Sequence, residues 1–393
     1  MGNTHEVPSK IGAKGSMIPT LTGLRAIAAL WVVIEHFRQP LYALVPVTER
    51  LRQWIEPGFL GVEIFFILSG FIIAYQYGER LSAFTPTAYR RYVQARFARI
   101  YPVHLITLLM VTVLVVGASI ASVKLNSAEN YSTVSFLGNL LMLQGFSAVG
   151  AWNGPAWSIT CEFAAYLAFP LLAIWIVRFR SSRTAFTVAA VTLTAGTTAV
   201  ITYLLIVNDS PTADWMPWLR IAFEFTAGTL LYTGWRLCRK TRSVRWDWIA
   251  AVGFGTAAVI LYFVPHGTAW TFIVLPLLAM FVVGCAGASG VVQTFLGTRV
   301  MQWGGRISYS LYMVHFIVLN IGGKLLSWNE FTDAALFVRL GVVLAYFAVA
   351  VVAADLLYRT IEEPARTRSL SYLSRRESRR SEHREDSPST PRT

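Results

Sequence analysis

Charge is what this chain lacks most. Aspartate, glutamate, lysine and arginine make up only 14% of its residues, against about a quarter in an ordinary soluble chain. A surface wetted on all sides needs more, so most of the folded surface does not meet water. No polar stretch is long enough for an independent soluble domain, and a single membrane domain is expected. Cysteine is scarce too. Cys161, Cys238 and Cys285 lie in or beside apolar segments without metal-ligand spacing, and an odd number closes no disulfide framework. They read as small buried hydrophobes, and no metal site is expected. The first twenty residues hold Lys10 and Lys14 but no apolar core before a cleavage site, so no signal peptide is expected.

What is abundant is apolar sequence. Hydrophobic residues make up 55% of the chain, and the mean hydropathy is +0.51. Runs of roughly 20 apolar residues, enough to cross ~30 Å of hydrocarbon, recur from Leu21 to Tyr358. They fall near 20–37, 58–77, 102–121, 155–178, 185–207, 217–235, 247–264, 269–285, 308–326 and 335–358. The fold expected is all-α, a polytopic transmembrane helix bundle of about ten spans. The net charge of +13 would suit nucleic acid, but membrane proteins collect Lys and Arg in cytoplasmic loops to fix their orientation. A lipid bilayer is therefore the expected partner, and nucleic acid is not.

Alternate loops are basic. Arg80, Arg90, Arg91, Arg96 and Arg99 follow the second span, Arg178, Arg180 and Arg183 the fourth, and Arg236, Arg239, Lys240, Arg242 and Arg245 the sixth. The tail adds Arg375, Arg376, Arg379 and Arg380. The opposite loops hold little more than Arg38, Arg50, Arg52 and Lys124, with Asp209, Asp214, Glu330 and Asp333 among them. This bias predicts both termini in the cytoplasm. Residues 134–149 are apolar but short, and counting them as a crossing would put Arg178 to Arg183 outside. They read as an interfacial or re-entrant element, with a cavity near Asn153-Gly154-Pro155, because irregular backbone at membrane depth needs protein or a wet cavity against it.

Several polar residues interrupt the apolar runs, where charge is expensive and usually functional. The first span reads LTGLRAIAALWVVIEHF. Arg25 and His36 share one helix face about 16 Å apart along the axis, Arg25 towards the cytoplasm. Their position alone equally suits an arginine snorkelling to headgroups and an interfacial histidine. In the second span, Glu63 and Ser69 are polar groups in an apolar helix, Glu63 equally suiting the outer interface, and Gly70 would permit close helix approach. Arg96 and Arg99 are an i, i+3 pair whose two guanidiniums suit phosphate recognition, and Pro102 is placed to start or kink the next span. Glu162 lies about a turn and a half inside the fourth span and must find a cation, a histidine or a proton. In the ninth, Ser308, Tyr312 and His315 fall near one face; His315 suits a satisfied structural histidine at least as well as a catalytic one.

At these residues the sequence resembles the acyltransferase-3 family of bacterial membrane acyltransferases. The resemblance rests on L-T-G-L-R-A-I-A-A-L with the Arg25/His36 spacing, F-F-I-L-S-G-F at 65–71, R-x-x-R-I-x-P at 96–102, W-S-I-x-x-E at 157–162, S-Y-S-L-Y-x-x-H at 308–315 and I-E-x-P at 361–364. It covers roughly residues 18–366. It implies an acyl-CoA-dependent O-acyltransferase of the bacterial cytoplasmic (inner) membrane. Such an enzyme moves an acetyl or other short acyl group to a hydroxyl of an envelope polysaccharide, exopolysaccharide or lipid-linked glycan. It also implies that His36 is catalytic, that Arg25 is required beside it, and that Arg96 and Arg99 hold the acyl donor at the cytoplasmic face. Trp157, Ser158 and Tyr309, with Glu63, Ser69 and His315, are the supporting residues of the matched motifs. Phe163 stands where relatives often carry a polar or acidic residue, so no second carboxylate is available there. No SGNH-type hydrolase domain is expected after the last span.

The domains expected are then a cytoplasmic segment 1–17, a membrane acyltransferase domain 18–366 and a disordered basic tail 367–393. No cofactor is expected to be bound permanently; acyl-CoA, most simply acetyl-CoA, is a co-substrate. Its phosphates need cations at the cytoplasmic face, which Arg96, Arg99 and Arg25 would supply. An imidazole neutral near physiological pH can take a proton from the acceptor hydroxyl, which is the role for His36, and Glu162 would orient that imidazole if the two helices pack together. An acyl-histidine intermediate is the mechanistic alternative. A macrolide or other small glycoside is the alternative acceptor. In a different class stands a transporter or flippase, since intramembrane Arg, His and Glu also mark substrate pathways; no internal repeat of the transporter kind is visible.

Overall fold

The computed structural model describes residues 17–122, 131–207, 215–239, 244–265, 267–325, 327–369 and 371. Most of the segment 1–17 and of the tail 367–393, with Lys124, Asp209, Asp214, Lys240 and Arg242, lies outside them. Among the described residues there are helices and turns and no strand. The helices are α1 (Pro19–His36), α2 (Arg38–Leu44), α3 (Arg52–Ile55), α4 (Leu60–Ser82), α5 (Pro86–Ile120), α6 (Thr133–Leu140) and α7 (Trp157–Ile176). They continue with α8 (Ser182–Val207), α9 (Met216–Cys238), α10 (Trp246–Phe263), α11 (Leu275–Gly287), α12 (Val291–Leu296), α13 (Arg299–Leu325) and α14 (Leu336–Leu357). A π-helical turn, Tyr358–Glu362, comes after the last.

Every apolar segment read from the sequence falls on a helix. Seven helical stretches are long and apolar enough to cross a bilayer, or eight if the bent pair α1 and α2 is one span. Helices α9 and α13 are as long, 23 and 27 residues, and are less apolar because they carry Arg220, Glu224 and Arg236, and Arg299, Arg306 and Lys324. Prolines in the first turn open α1, α5, α9 and α11, where the missing N–H is no loss. Thr85 caps α5 by accepting from the Ala88 N–H at 3.2 Å. The third span differs from its reading: α5 runs unbroken from Pro86 with Pro102 inside it, so Arg90 to Arg99 belong to a helix and not to a loop. Helix α13 likewise starts nine residues earlier than the apolar run, at Arg299.

Side-chain contacts fix the direction of the helices. Ala28 and Trp31 meet Gly61 and Gly58 in reverse order, so α1 and α4 are antiparallel. Phe66 meets Trp157, Ser69 meets Glu162, and Gly78 meets Ile176, so α4 and α7 run parallel. Tyr89 meets Leu167, Tyr92 meets Phe169 and Phe97 meets Phe163, so α5 runs antiparallel to α7 and α7 begins at the end of the bundle where α5 ends. Within 134–149 only α6, eight residues with a Ser132/Ser135 capping box, is helical, and residues 141–153 are turns, bends and irregular backbone. That backbone is satisfied by protein, as its depth demands. Asn139 Nδ2 donates to Ser135 O and Gly150 O, each at 2.8 Å, Gln144 Nε2 donates to Ala156 O, and the Gly145 N–H donates to Thr160 Oγ1.

Lipid gives helices little hydrophobic reason to associate, so close packing and polar pairs must hold them. Helix α4, at the centre, shows both. A Cβ on Gly70 would lie 2.8 Å from the Phe225 carbonyl carbon, and one on Gly228 2.9 Å from that of Ile67. The two glycines thus let the backbones of α4 and α9 touch reciprocally, the close approach Gly70 suggested.

Candidate active site

Helices α1 and α13 lie side by side and run parallel. Arg25 Nε donates to Ser308 Oγ at 3.2 Å, and further along the His36 and His315 rings meet edge to face with centroids 4.9 Å apart. The pairing follows from sequence: Leu21, Leu24, Ala28 and Val32 form the buried stripe of α1, and Arg25 and His36 flank it.

At the Arg25 end the helices line a small cavity of about 40 Å³, bounded by Arg25, Phe65, Ser158, Glu162, Ser308 and Tyr312 among others. The Arg25 guanidinium also lies 5.5 Å over the Phe65 ring. Glu162 accepts from Ser69 Oγ and Tyr166 OH and lies within electrostatic range of Arg25. Ser158 Oγ and Tyr312 OH are 2.9 Å apart, and both donate to Pro155 O. The turn at Asn153-Gly154-Pro155 therefore backs the cavity wall and does not line it. Tyr309 lines the cavity and anchors α13 to α5 by donating to Ile100 O at 2.7 Å.

At the other end of α1 stands His36, its side chain 27% exposed. Its Nδ1 lies 2.9 Å from Val32 O and 3.1 Å from Glu35 Oε2. His315 is fully buried, with Nδ1 3.1 Å from Leu311 O and Nε2 without a hydrogen-bond partner among the described residues. Ser308, Tyr312 and His315 do share one face, the first two on the cavity and the third on His36.

Three expected placements need correction. Glu162 is not the carboxylate at His36: its hydrogen-bond partners are Ser69 and Tyr166, and it lines the cavity with Arg25. Glu63 lines neither the cavity nor an interface. It is fully buried in an ion pair with Arg220, and Glu224, equally buried, lies against the same guanidinium. The Arg220 guanidinium lies 5.1 Å over the Trp157 ring and 5.5 Å over that of Phe272, which is where Trp157 finds its place.

The third correction concerns Arg96 and Arg99, which do not stand open as a pair. Arg99 is paired with Glu362, whose other oxygen accepts from Ser310 Oγ at 2.5 Å. Glu362 ends the π-helical turn, a rare element often found at functional sites, and the turn carries its side chain inward. Arg96 Nη2 donates to Tyr77 OH at 3.0 Å. Arg25, Arg96 and Arg366 nevertheless lie within electrostatic range of Arg99, and Glu362, Glu363 and Glu162 offset part of that charge. Sequence reading missed Glu35, Tyr166, Arg220, Glu224 and the pairing of Glu362. Only Glu362 had a signal, its place in I-E-x-P. Among the described residues, no group of three or more His, Cys, Asp or Glu could hold a metal ion.

Comparison with known proteins identifies the family of the chain. The sequence matches the acyltransferase domain family over residues 18–359. It is 30% identical over 376 residues to the acyltransferase MdmB of Streptomyces mycarofaciens, covering 88% of this chain and 91% of that protein. It is 22% identical to a Staphylococcus aureus (strain COL) protein described as an O-acetyltransferase. It is 21% identical to YrhL of Bacillus subtilis (strain 168), described as a peptidoglycan O-acetyltransferase. These two matches cover 92% and 91% of this chain but only 59% and 56% of the relatives. No solved structure matches the chain. A transporter is thereby set aside: the chain belongs to the acyltransferase-3 family and is a multi-pass membrane acyltransferase.

Proposed function

We propose that this enzyme transfers an acetyl or other short acyl group from cytoplasmic acyl-CoA to a hydroxyl of an envelope glycan. The observation that carries this reading is the separation of two polar sites along one parallel helix pair. A polar cavity holds Arg25, Ser308 and Glu162, and a histidine pair lies about 16 Å further along α1. The bundle would cross the bilayer ten times with both ends in the cytoplasm, which the alternating helix directions and the basic loops support.

In this reading the donor's phosphates settle against Arg25 and Arg96, and the pantetheine arm carries the thioester along α1 towards His36. Arg99, already paired with Glu362, holds the walls of that site more than it grips the donor. The His36 imidazole takes the proton of the acceptor hydroxyl as its oxygen bonds to the acyl carbon. The C–S bond breaks, and the thiolate leaves with the proton returned by the imidazolium. Neither a net proton nor an oxidant is required. The peptidoglycan O-acetyltransferase among the relatives supports a glycan hydroxyl as the acceptor class.

The test is label transfer from isotopically marked acetyl-CoA by purified protein to peptidoglycan fragments, lipid-linked sugars and small glycosides. Label in an ester of a glycan hydroxyl, lost in His36→Ala, is the expected result. Transfer to glycosides alone would overturn the acceptor, and transfer surviving His36→Ala would overturn the site. A protein-bound acyl group formed without acceptor would replace direct transfer by an acyl-histidine route.

A further inference from the structure

We propose that Glu35, the residue directly before His36, is the carboxylate that positions the His36 imidazole for proton transfer. The inference rests on His36 being the base of the reaction. Within a continuous helix, neighbouring side chains point about 100° apart and do not meet. Here the helix stops at the right place. Phe37, with φ −87° and ψ 8°, closes α1, and the chain bends by 64° into α2. Both residues stand in the last turn before that break, where Glu35 Oε2 lies 3.1 Å from His36 Nδ1.

Both neighbours of Nδ1, Glu35 Oε2 and Val32 O at 2.9 Å, are acceptors. The hydrogen therefore belongs on Nδ1, and the lone pair is kept on Nε2, the nitrogen left to meet a substrate. Arg38 holds the carboxylate in this pose. Its Nη1 bonds Glu35 Oε1 and also Glu35 O at 3.0 Å, so one oxygen is tied to the arginine and the other is turned to the ring. The Glu35 side chain is only 13% exposed, so water screens the contact little. The other titratable groups facing this pair are His315 from α13 and Glu56 from the turn before α4. Glu56 is itself paired with Arg52 Nε at 3.1 Å, and His315 presents a ring edge, not a charge partner of opposite sign. Glu35 is thus the carboxylate in contact with the histidine.

Steady-state kinetics with acyl-CoA and acceptor test this in the full-length protein. Glu35→Gln is expected to lower kcat about 10- to 100-fold, less than the roughly 10²- to 10⁴-fold that the base itself contributes, with the donor KM and the melting temperature unchanged. Glu35→Asp should recover part of kcat, and Glu56→Gln should leave it at the wild-type value. Arg38→Met, which frees the carboxylate without removing it, should lower kcat severalfold and serves if Glu35→Gln does not fold. Wild-type kcat in Glu35→Gln, or in Arg38→Met where Glu35→Gln is lost, overturns the proposal. So does a fall in kcat that only tracks loss of folded protein and is not recovered by Asp. An inactive His36→Ala beside a fully active Glu35→Gln removes Glu35 alone, whereas an active His36→Ala removes the base itself.

Discussion

Helix α4 carries two buried polar groups that look alike in sequence and differ in kind. Ser69 faces inward to Glu162 and the cavity shared with Arg25. Glu63, under two turns earlier, is closed in with Arg220 and Glu224 beneath Trp157 and Phe272. The cavity cluster leaves a small open space of about 40 Å³ beside Arg25. The closed cluster has none, since Glu63 and Glu224 are fully buried and Arg220 is 2% exposed. Buried charge in a membrane protein is therefore no single signal: space beside the charge separates a site from a brace.

That contrast can be broken by mutation. The largest effect belongs to the site: His36→Ala should lower kcat by about 10²- to 10⁴-fold, the contribution of a positioned acid–base group, and Arg25→Ala should raise the donor KM at least about tenfold, both with an unchanged melting curve. Truncating the brace should do the reverse. Arg220→Ala leaves two buried carboxyl groups without their cation and should destabilise the bundle by about 3–5 kcal/mol, read as a lowered detergent melting temperature. Replacing the whole cluster with apolar residues (Glu63→Leu, Arg220→Met, Glu224→Leu) should restore stability and keep catalysis, because a buried ion cluster is often replaceable by packed hydrophobes. Gly70→Ala should destabilise less, about 1–3 kcal/mol for an overpacked contact, by forcing α4 from α9. A restored activity without restored stability in the apolar triple variant would erase the distinction between the two clusters.

The sequence made part of this legible. Ten apolar runs, the shared face of Ser308, Tyr312 and His315, and the small residue at Gly70 are all periodic or compositional, and a helix preserves such patterns. The alignment of Arg25 and His36 follows from helical geometry in the same way. What stayed hidden depends on which helices touch. Arg220 and Glu63 are 157 positions apart, and Arg99 and Glu362 are 263 apart, so each charge looks solitary on its own helix. Arg96 and Arg99 looked like a pair because their spacing is local, whereas their partners, Tyr77 and Glu362, come from other elements. Glu35 was hidden for the opposite reason: helical spacing says that neighbours in sequence do not meet, whereas here Arg38, just past the end of α1, binds one oxygen of the carboxylate and the other lies beside His36.

The central claim is that Arg25 grips the donor and His36 moves the proton, two tasks at two depths. Equilibrium binding of a non-reactive thioether analogue of acetyl-CoA to His36→Ala and Arg25→Ala tests it most directly. The account predicts wild-type affinity with no turnover in His36→Ala and at least about tenfold weaker binding in Arg25→Ala, the loss of roughly one charge-assisted contact. Equal loss of binding in both variants, or full binding in Arg25→Ala, would contradict it.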